Sequence, residues 1–278
     1  MNRFTKTKRF SLWLFFSVTL VSVGGGCSDD DTKPAISDAG LDGGAPDGAR
    51  LDGGDLDGAL EVDGNAGDGG TEIDAGTPLP GWGDISGACA VLDDEEWNAS
   101  EPFIFRNAID LGTSGFDENL LTPGGLEIWE DGNLGGSSIH SEIIAYELLH
   151  RCELAGLLKT EGEILYQNDG GKKTDILVDL DTRKVGVSVT RAFHFPPTDP
   201  YTETEAADLL SDKLNDVLLS AQNADPADAW QHSVLHVVAY DHQYADVVEA
   251  AFADLDPAVK ADTIVFVTVT DGQDDFVY

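Results

Sequence analysis

The chain has 278 residues, of which 52 are Asp or Glu and only 16 are Lys or Arg, a formal net charge of −36 at pH 7. Proteins that hold nucleic acid by its phosphates use basic surface to displace counterions, so this composition excludes a broad electrostatic nucleic-acid footprint. The acid is spread unevenly, and the steps in composition mark how the chain is organised.

Residues 1–27 read as an export segment. Arg3, Lys6, Lys8 and Arg9 place positive charge ahead of an apolar run over 10–23. That run is shorter than the ~20 residues a helix needs to cross a bilayer, so a signal peptide is the better reading. Gly24-Gly25-Gly26-Cys27 at its end resembles a bacterial lipobox. The resemblance implies cleavage before Cys27 and attachment to a membrane through lipid on that residue. With Ser28 rather than Asp next in the chain, it implies the outer membrane of a bacterial cell envelope. Without lipidation of Cys27 the product would be secreted.

Residues 28–80 read as an acidic linker that stays disordered. They carry 14 acids against Lys33 and Arg50 and almost no aromatic or branched side chains. Such a segment buries too little apolar area to offset the entropy of ordering, and its charge extends it. Asp55-Leu56-Asp57-Gly58 has the look of a calcium loop, but the Asp spacing drifts and no Glu closes a twelve-residue loop.

Residues 81–136 hold turn signals at Pro102, Pro123-Gly124-Gly125, Gly132 and Gly135-Gly136 and short apolar runs, an irregular lead-in. Cys89 lies in it and Cys152 beyond it. In an oxidising compartment a bridge between them would close a loop worth about 4 kcal/mol of chain entropy; a free, buried Cys152 is the alternative.

The pattern then turns regular, and residues 137–278 read as an α/β domain. Ser138 is placed to cap a helix whose apolar stripe is Ile139, Ile143, Tyr146, Leu149, Leu154 and Leu157, with Lys159 near its end. A strand is expected over 161–167. Residues 172–195 then read as a hairpin in which Ile176, Val178 and Leu180 share one face, as do Val185, Val187 and Val189, with 181–184 as the turn. After Pro196-Pro197 come a helix over 203–221, a buried strand over 233–240, a helix over 244–255 and a last strand over 263–270. The expected fold is α/β, a mixed sheet of about five strands flanked by helices in the order α-β-β-β-α-β-α-β.

This order, with an acid on the first hairpin strand, resembles the PD-(D/E)XK or restriction-endonuclease-like family over roughly 137–270. In that family a helix acid, a strand Asp and an acid-x-Lys hold Mg²⁺ or Mn²⁺ for phosphodiester cleavage. The resemblance implies Glu142 as the helix acid, with Glu147 second, and Asp175 as the strand acid. Ser188 stands in the second acid position and Thr190 in the lysine position, so the motif is degenerate. Asp179, which shares one strand face with Leu177 and Asp175, is the metal-ligand candidate that would replace the missing carboxylate.

Histidines offer a second pattern. His232, His236 and His242 gather near one strand, but four residues along a strand span about 13 Å, too far to share an ion. The expected function is a bacterial surface lipoprotein whose nuclease-like domain lacks nuclease activity and serves binding or the envelope, with nucleic acid not its partner. The alternatives are a Mg²⁺- or Mn²⁺-dependent phosphodiesterase acting outside the cytoplasm and a purely structural envelope lipoprotein.

Overall fold

The computed structural model describes residues 76–277, apart from 114 and 135–137. Cys27, the export segment and nearly all of the acidic linker lie outside the described residues. Among the described residues no helix is long and apolar enough to cross a membrane.

Seven strands form one mixed sheet: β1 (Asp84–Gly87), β2 (Ile104–Asp110), β3 (Gly156–Thr160), β4 (Ile176–Leu180), β5 (Arg183–Ala192), β6 (His232–Ala239) and β7 (Ile264–Val269). Their order across the sheet is β1-β2-β7-β6-β5-β4-β3. The central four, β2, β7, β6 and β5, run parallel, while β1 joins one side and β4 and β3 the other as antiparallel neighbours. The helices are α1 (Asp94–Asn98), α2 (Pro123–Asp131), α3 (Ile139–Glu153), α4 (Glu203–Asn223), α5 (His242–Asp254) and the short α6 (Pro257–Lys260). The fold is α/β.

Burial explains the layering. Ile176, Val178, Val185, Val187, Val234 and Phe266 pack with Ile143, Ile144 and Leu148 of α3 on one face of the sheet. Leu235, Val237, Val265 and Val267 pack with Leu210 and Leu214 of α4 and Val248 of α5 on the other. β6 and β7 are apolar on both faces because they are covered on both, as buried parallel strands must be. Within that core His236 is fully buried. Thr268 donates its hydroxyl proton to Asn107 Oδ1 at 2.6 Å, so His236 Nε2 donates to Thr268 Oγ1, also at 2.6 Å. This chain of bonds staples β6, β7 and β2, and burial pushes the imidazole pKa down to about 3.

The sheet has two more strands than expected, because the lead-in is not irregular. It contributes β1 and β2, and β2 lies parallel to β7 in the body of the sheet. Pro123-Gly124-Gly125 is the first turn of α2 rather than a loop. Both glycines are required by close approach to α3. A Cβ on Gly124 would lie 2.2 Å from the Tyr146 hydroxyl, and one on Gly125 2.2 Å from Glu147 Oε1.

Other boundaries shift for local reasons. Helix α3 stops at Glu153, not near Lys159, because Leu154 takes a left-handed conformation at φ 60° and closes the helix through bonds to His150 and Leu149 carbonyls. The next strand is therefore β3, ahead of the expected 161–167. The hairpin turn is only Asp181-Thr182, both at positive φ, which is the geometry that matches strand twist.

Three consecutive residues at the end of α3 fasten the lead-in. The Arg151 guanidinium donates to the carbonyls of Leu79, Trp82 and Gly83. Cys152 is bonded to Cys89, 63 residues earlier in sequence. The Glu153 carboxylate accepts from the amides of Val91 and Leu92. At the sheet edge, β3 is interrupted by a bulge between Leu157 and Lys159. Tyr146 Oη accepts from the Leu157 amide and Glu163 Oε2 from that of Thr160. The edge is thus blunted against further strand pairing.

Candidate functional site

Glu142 sits in the first turn of α3 and is 1% exposed. Its Oε1 accepts from Asn133 Nδ2 at 2.7 Å and Ser138 Oγ at 2.9 Å. Ser138 thus spends its hydroxyl on Glu142 and makes no side-chain cap to a helix amide. Burial holds the Glu142 pKa above the usual carboxylate range, and the Glu161 carboxylate adds to the effect against the two hydrogen bonds.

Asp175 precedes β4, and its Oδ2 accepts from the Val189 amide at 2.6 Å. It fills the ladder position that opens where β4 and β5 part. Desolvation pushes its pKa up to about 7, and the carboxylates of Glu142 and Glu161 push in the same direction. The opposing influences are the Val189 hydrogen bond and Lys213 of α4. Glu142 and Asp175 therefore feel one another across the rim of the sheet, and the third member of the group is Glu161. Sequence reading missed Glu161 in this role because it placed the residue inside a strand. The signal was available in Leu154, where a shorter helix moves the strand forward and leaves Glu161 in the loop at its end.

Ser188 and Thr190 flank Val189, whose amide Asp175 accepts from, but they do not converge with Glu142. Val185 and Val187 pack toward α3, whereas Ala192 packs in the core under α4 and α5. Strand alternation then turns Ser188 and Thr190 to the α4 side, away from the α3 face on which Glu142 is buried. Ser188 Oγ is 3.1 Å from Thr174 Oγ1, a hydroxyl pair inside the protein. Asp179 is exposed, opposite Lys184 in the β4–β5 register. Four residues of strand put it about 13 Å along from Asp175, so it cannot share an ion with that residue.

Divalent metal at this site requires carboxylates converging on a common point. Among the described residues no group of three or more His, Cys, Asp or Glu side chains is placed to hold a metal ion. Glu142, Asp175 and Asp179 do not make the set that the nuclease resemblance implies, and neither hydroxyl of Ser188 and Thr190 joins them. Glu147, the second helix candidate, accepts from the amide and hydroxyl of Thr122 at 2.7 and 2.8 Å and serves the α2–α3 junction. The histidines are likewise dispersed. His232 meets Trp97 edge-on, His236 is the core staple, and His242 lies by Arg106 and Asp271.

What the arrangement offers chemically is two buried carboxyl groups, Glu142 and Asp175, whose pKa values burial and neighbouring like charge hold above the usual carboxylate range.

No family model matches the chain. No solved structure matches it. A Dictyostelium discoideum protein described as "AAC-rich mRNA clone AAC4 protein" is 33% identical over 154 residues, which covers 53% of this chain. The match spans 22% of that relative's own length.

Proposed function

We propose that the α/β domain is a nuclease-like scaffold without nuclease chemistry, exported and held at the bacterial outer membrane by lipid on Cys27, where it serves binding or the envelope. The observation that carries this reading is the sidedness of β5. Glu142 is carried by α3, which packs against the Val185 and Val187 face, while Ser188 and Thr190 belong to the opposite face, so these two positions do not converge with Glu142 even though Asp175 reaches the Val189 amide between them. The charge of the chain supports the same reading, since a net −36 repels phosphodiester substrates.

The test is cleavage of single- and double-stranded DNA and RNA by the full chain with Mg²⁺ or Mn²⁺, run beside thermal melts with each metal. The expected result is no cleavage and an unchanged melting temperature. Metal-dependent cleavage abolished by Asp175→Ala would overturn the proposal and establish the phosphodiesterase reading. That rival has one observation in its favour, the mutual influence of Glu142, Glu161 and Asp175, which a cation would have to draw together. Anchoring is tested separately, by loss of membrane association and of lipid labelling on Cys27→Ala.

A further inference from the structure

The lead-in carries a modification motif that the nuclease-like frame leaves unused. Asn98-Ala99-Ser100 is an Asn-x-Ser triplet without proline at its centre, the acceptor pattern for an N-linked sugar on an exported chain. Of the asparagines in the sequence, only Asn98 stands in such a triplet. Glu96, two residues earlier, puts an acid at the place where bacterial enzymes of this class hold one. So short a pattern also arises by chance, and its place in the fold decides whether it can be used.

Helix α1 ends at Asn98, and the chain leaves it extended at Ala99, with φ −69° and ψ 146°. Asn98 and Ser100 are both exposed at the start of the loop that leads to β2. The helix behind them is seated. Asp93 and Glu96 form a capping box at its start, and Trp97 is buried against His232. Asn98 Nδ2 donates to the Asp94 carbonyl; a primary amide has two N–H groups, so a substituted one can keep this bond. His232 opens β6, and Arg183, which pairs with Asp94, opens β5. Helix α1 thus lies at the edge where the parallel strands begin, and a sugar there leaves open the opposite edge, where ligand crevices form in such folds. The disulfide supports the compartment. Cys89 is bonded to Cys152, and the loop so closed contains the triplet. Such bonds persist outside the reducing cytoplasm, the side of the membrane on which sugar is transferred to asparagine.

We propose that Asn98 is the acceptor of an N-linked glycan, donated by an oligosaccharide carried on a lipid diphosphate. The Asn98 side-chain nitrogen forms a bond to the anomeric carbon of the first sugar. The bond from that carbon to the diphosphate oxygen breaks, the lipid diphosphate leaves with its electron pair, and one amide proton is lost to base on the transferring enzyme. The inference rests on the export part of the function proposed above and not on the state of the Glu142–Asp175 group.

The test is expression of the full chain, with its export segment, in bacterial cells that supply the lipid-linked oligosaccharide and its transferase. Mass spectrometry then reads the peptide that carries Asn98, and the pairing of Cys89 with Cys152 is read on the same sample. The expected result is a glycan mass on that peptide, lost in Asn98→Gln and in Ser100→Ala and kept in Ser100→Thr. Asn119→Gln, at an exposed asparagine outside any such triplet, should leave it unchanged. An unmodified peptide in a chain whose cysteines are paired would overturn the site while export stands. An unmodified peptide with free thiols would overturn the site together with the export on which it rests. A glycan that persists in Ser100→Ala would overturn the assignment to this triplet.

Discussion

The two ends of α3 carry the same kind of residue to opposite purposes. At the C-terminal end, Arg151, Cys152 and Glu153 face the lead-in and each finds a fixed partner: three carbonyls, a thiol and two amides. At the N-terminal end, Glu142 accepts hydrogen bonds from side chains and feels the charges of Asp175 and Glu161, with no cation paired to it among the described residues. Burial holds the carboxyls of Glu142 and Glu153 alike above the usual range, and each has a like charge near it, so burial alone does not decide whether an acid fastens a fold. The partner does: backbone amides and a covalent bond at one end, side-chain donors alone at the other. One end is built as a fastening and the other holds stored electrostatic tension.

The largest effect expected from breaking the fastening is loss of the disulfide. Replacing Cys89 and Cys152 by Ala frees a 63-residue loop and should cost about 4 kcal/mol in denaturant unfolding, with wild type in reductant behaving alike. Arg151→Met leaves three carbonyls without their donor and should cost about 3 kcal/mol by the same measurement. If that variant melts like wild type, Arg151 is incidental and the contrast between the helix ends collapses.

The other end should respond with the opposite sign. The folded pKa of Asp175, about 7, lies above the usual 3.8. Between those values the folded state keeps a proton that the unfolded state has released, so stability from this group falls as pH rises through that window. Asp175→Asn can still accept from Val189 and should melt higher than wild type at about pH 8 and alike at about pH 4. The smallest effect is a titration shift. Glu161→Gln removes one of the like charges and should lower the Asp175 midpoint, read by NMR of its carboxyl carbon; an unmoved midpoint would remove Glu161 from the group.

Regular periodicity made the second half of the molecule legible. The stripes of α3, α4 and α5, the alternation of β4 and β5 and the continuous apolar runs of β6 and β7 follow directly from spacing. The lead-in hid its structure because its elements depend on distant partners. Strand β2 is set by pairing with β7, and Gly124 and Gly125 of α2 by contact with Tyr146 and Glu147. Neither partner is near in sequence. At the candidate site, spacing named Glu142 and Asp175, which the fold buries, but not where Asp179, Ser188 and Thr190 lie relative to them. For Asp179, residue parity named a face but not a distance along the strand. For Ser188 and Thr190, the face could be assigned only once α3 and α4 were placed on opposite sides of the sheet.

The fastening at Arg151 to Glu153 also sets how this domain would answer a pull. The described chain begins at Gly76, whose amide bonds to the Cys89 carbonyl, and passes directly under the Arg151 guanidinium. Force applied through the preceding residues therefore peels these hydrogen bonds, Trp82 and the β1–β2 pairing one after another, like a zip. The peeling ends at Cys89, where the strain passes covalently to Cys152 and so to the helix at the centre of the α3 core. Extension before that stop is limited to about 45 Å of straightened backbone, after which β2 to β7 and the two helical layers resist as one body.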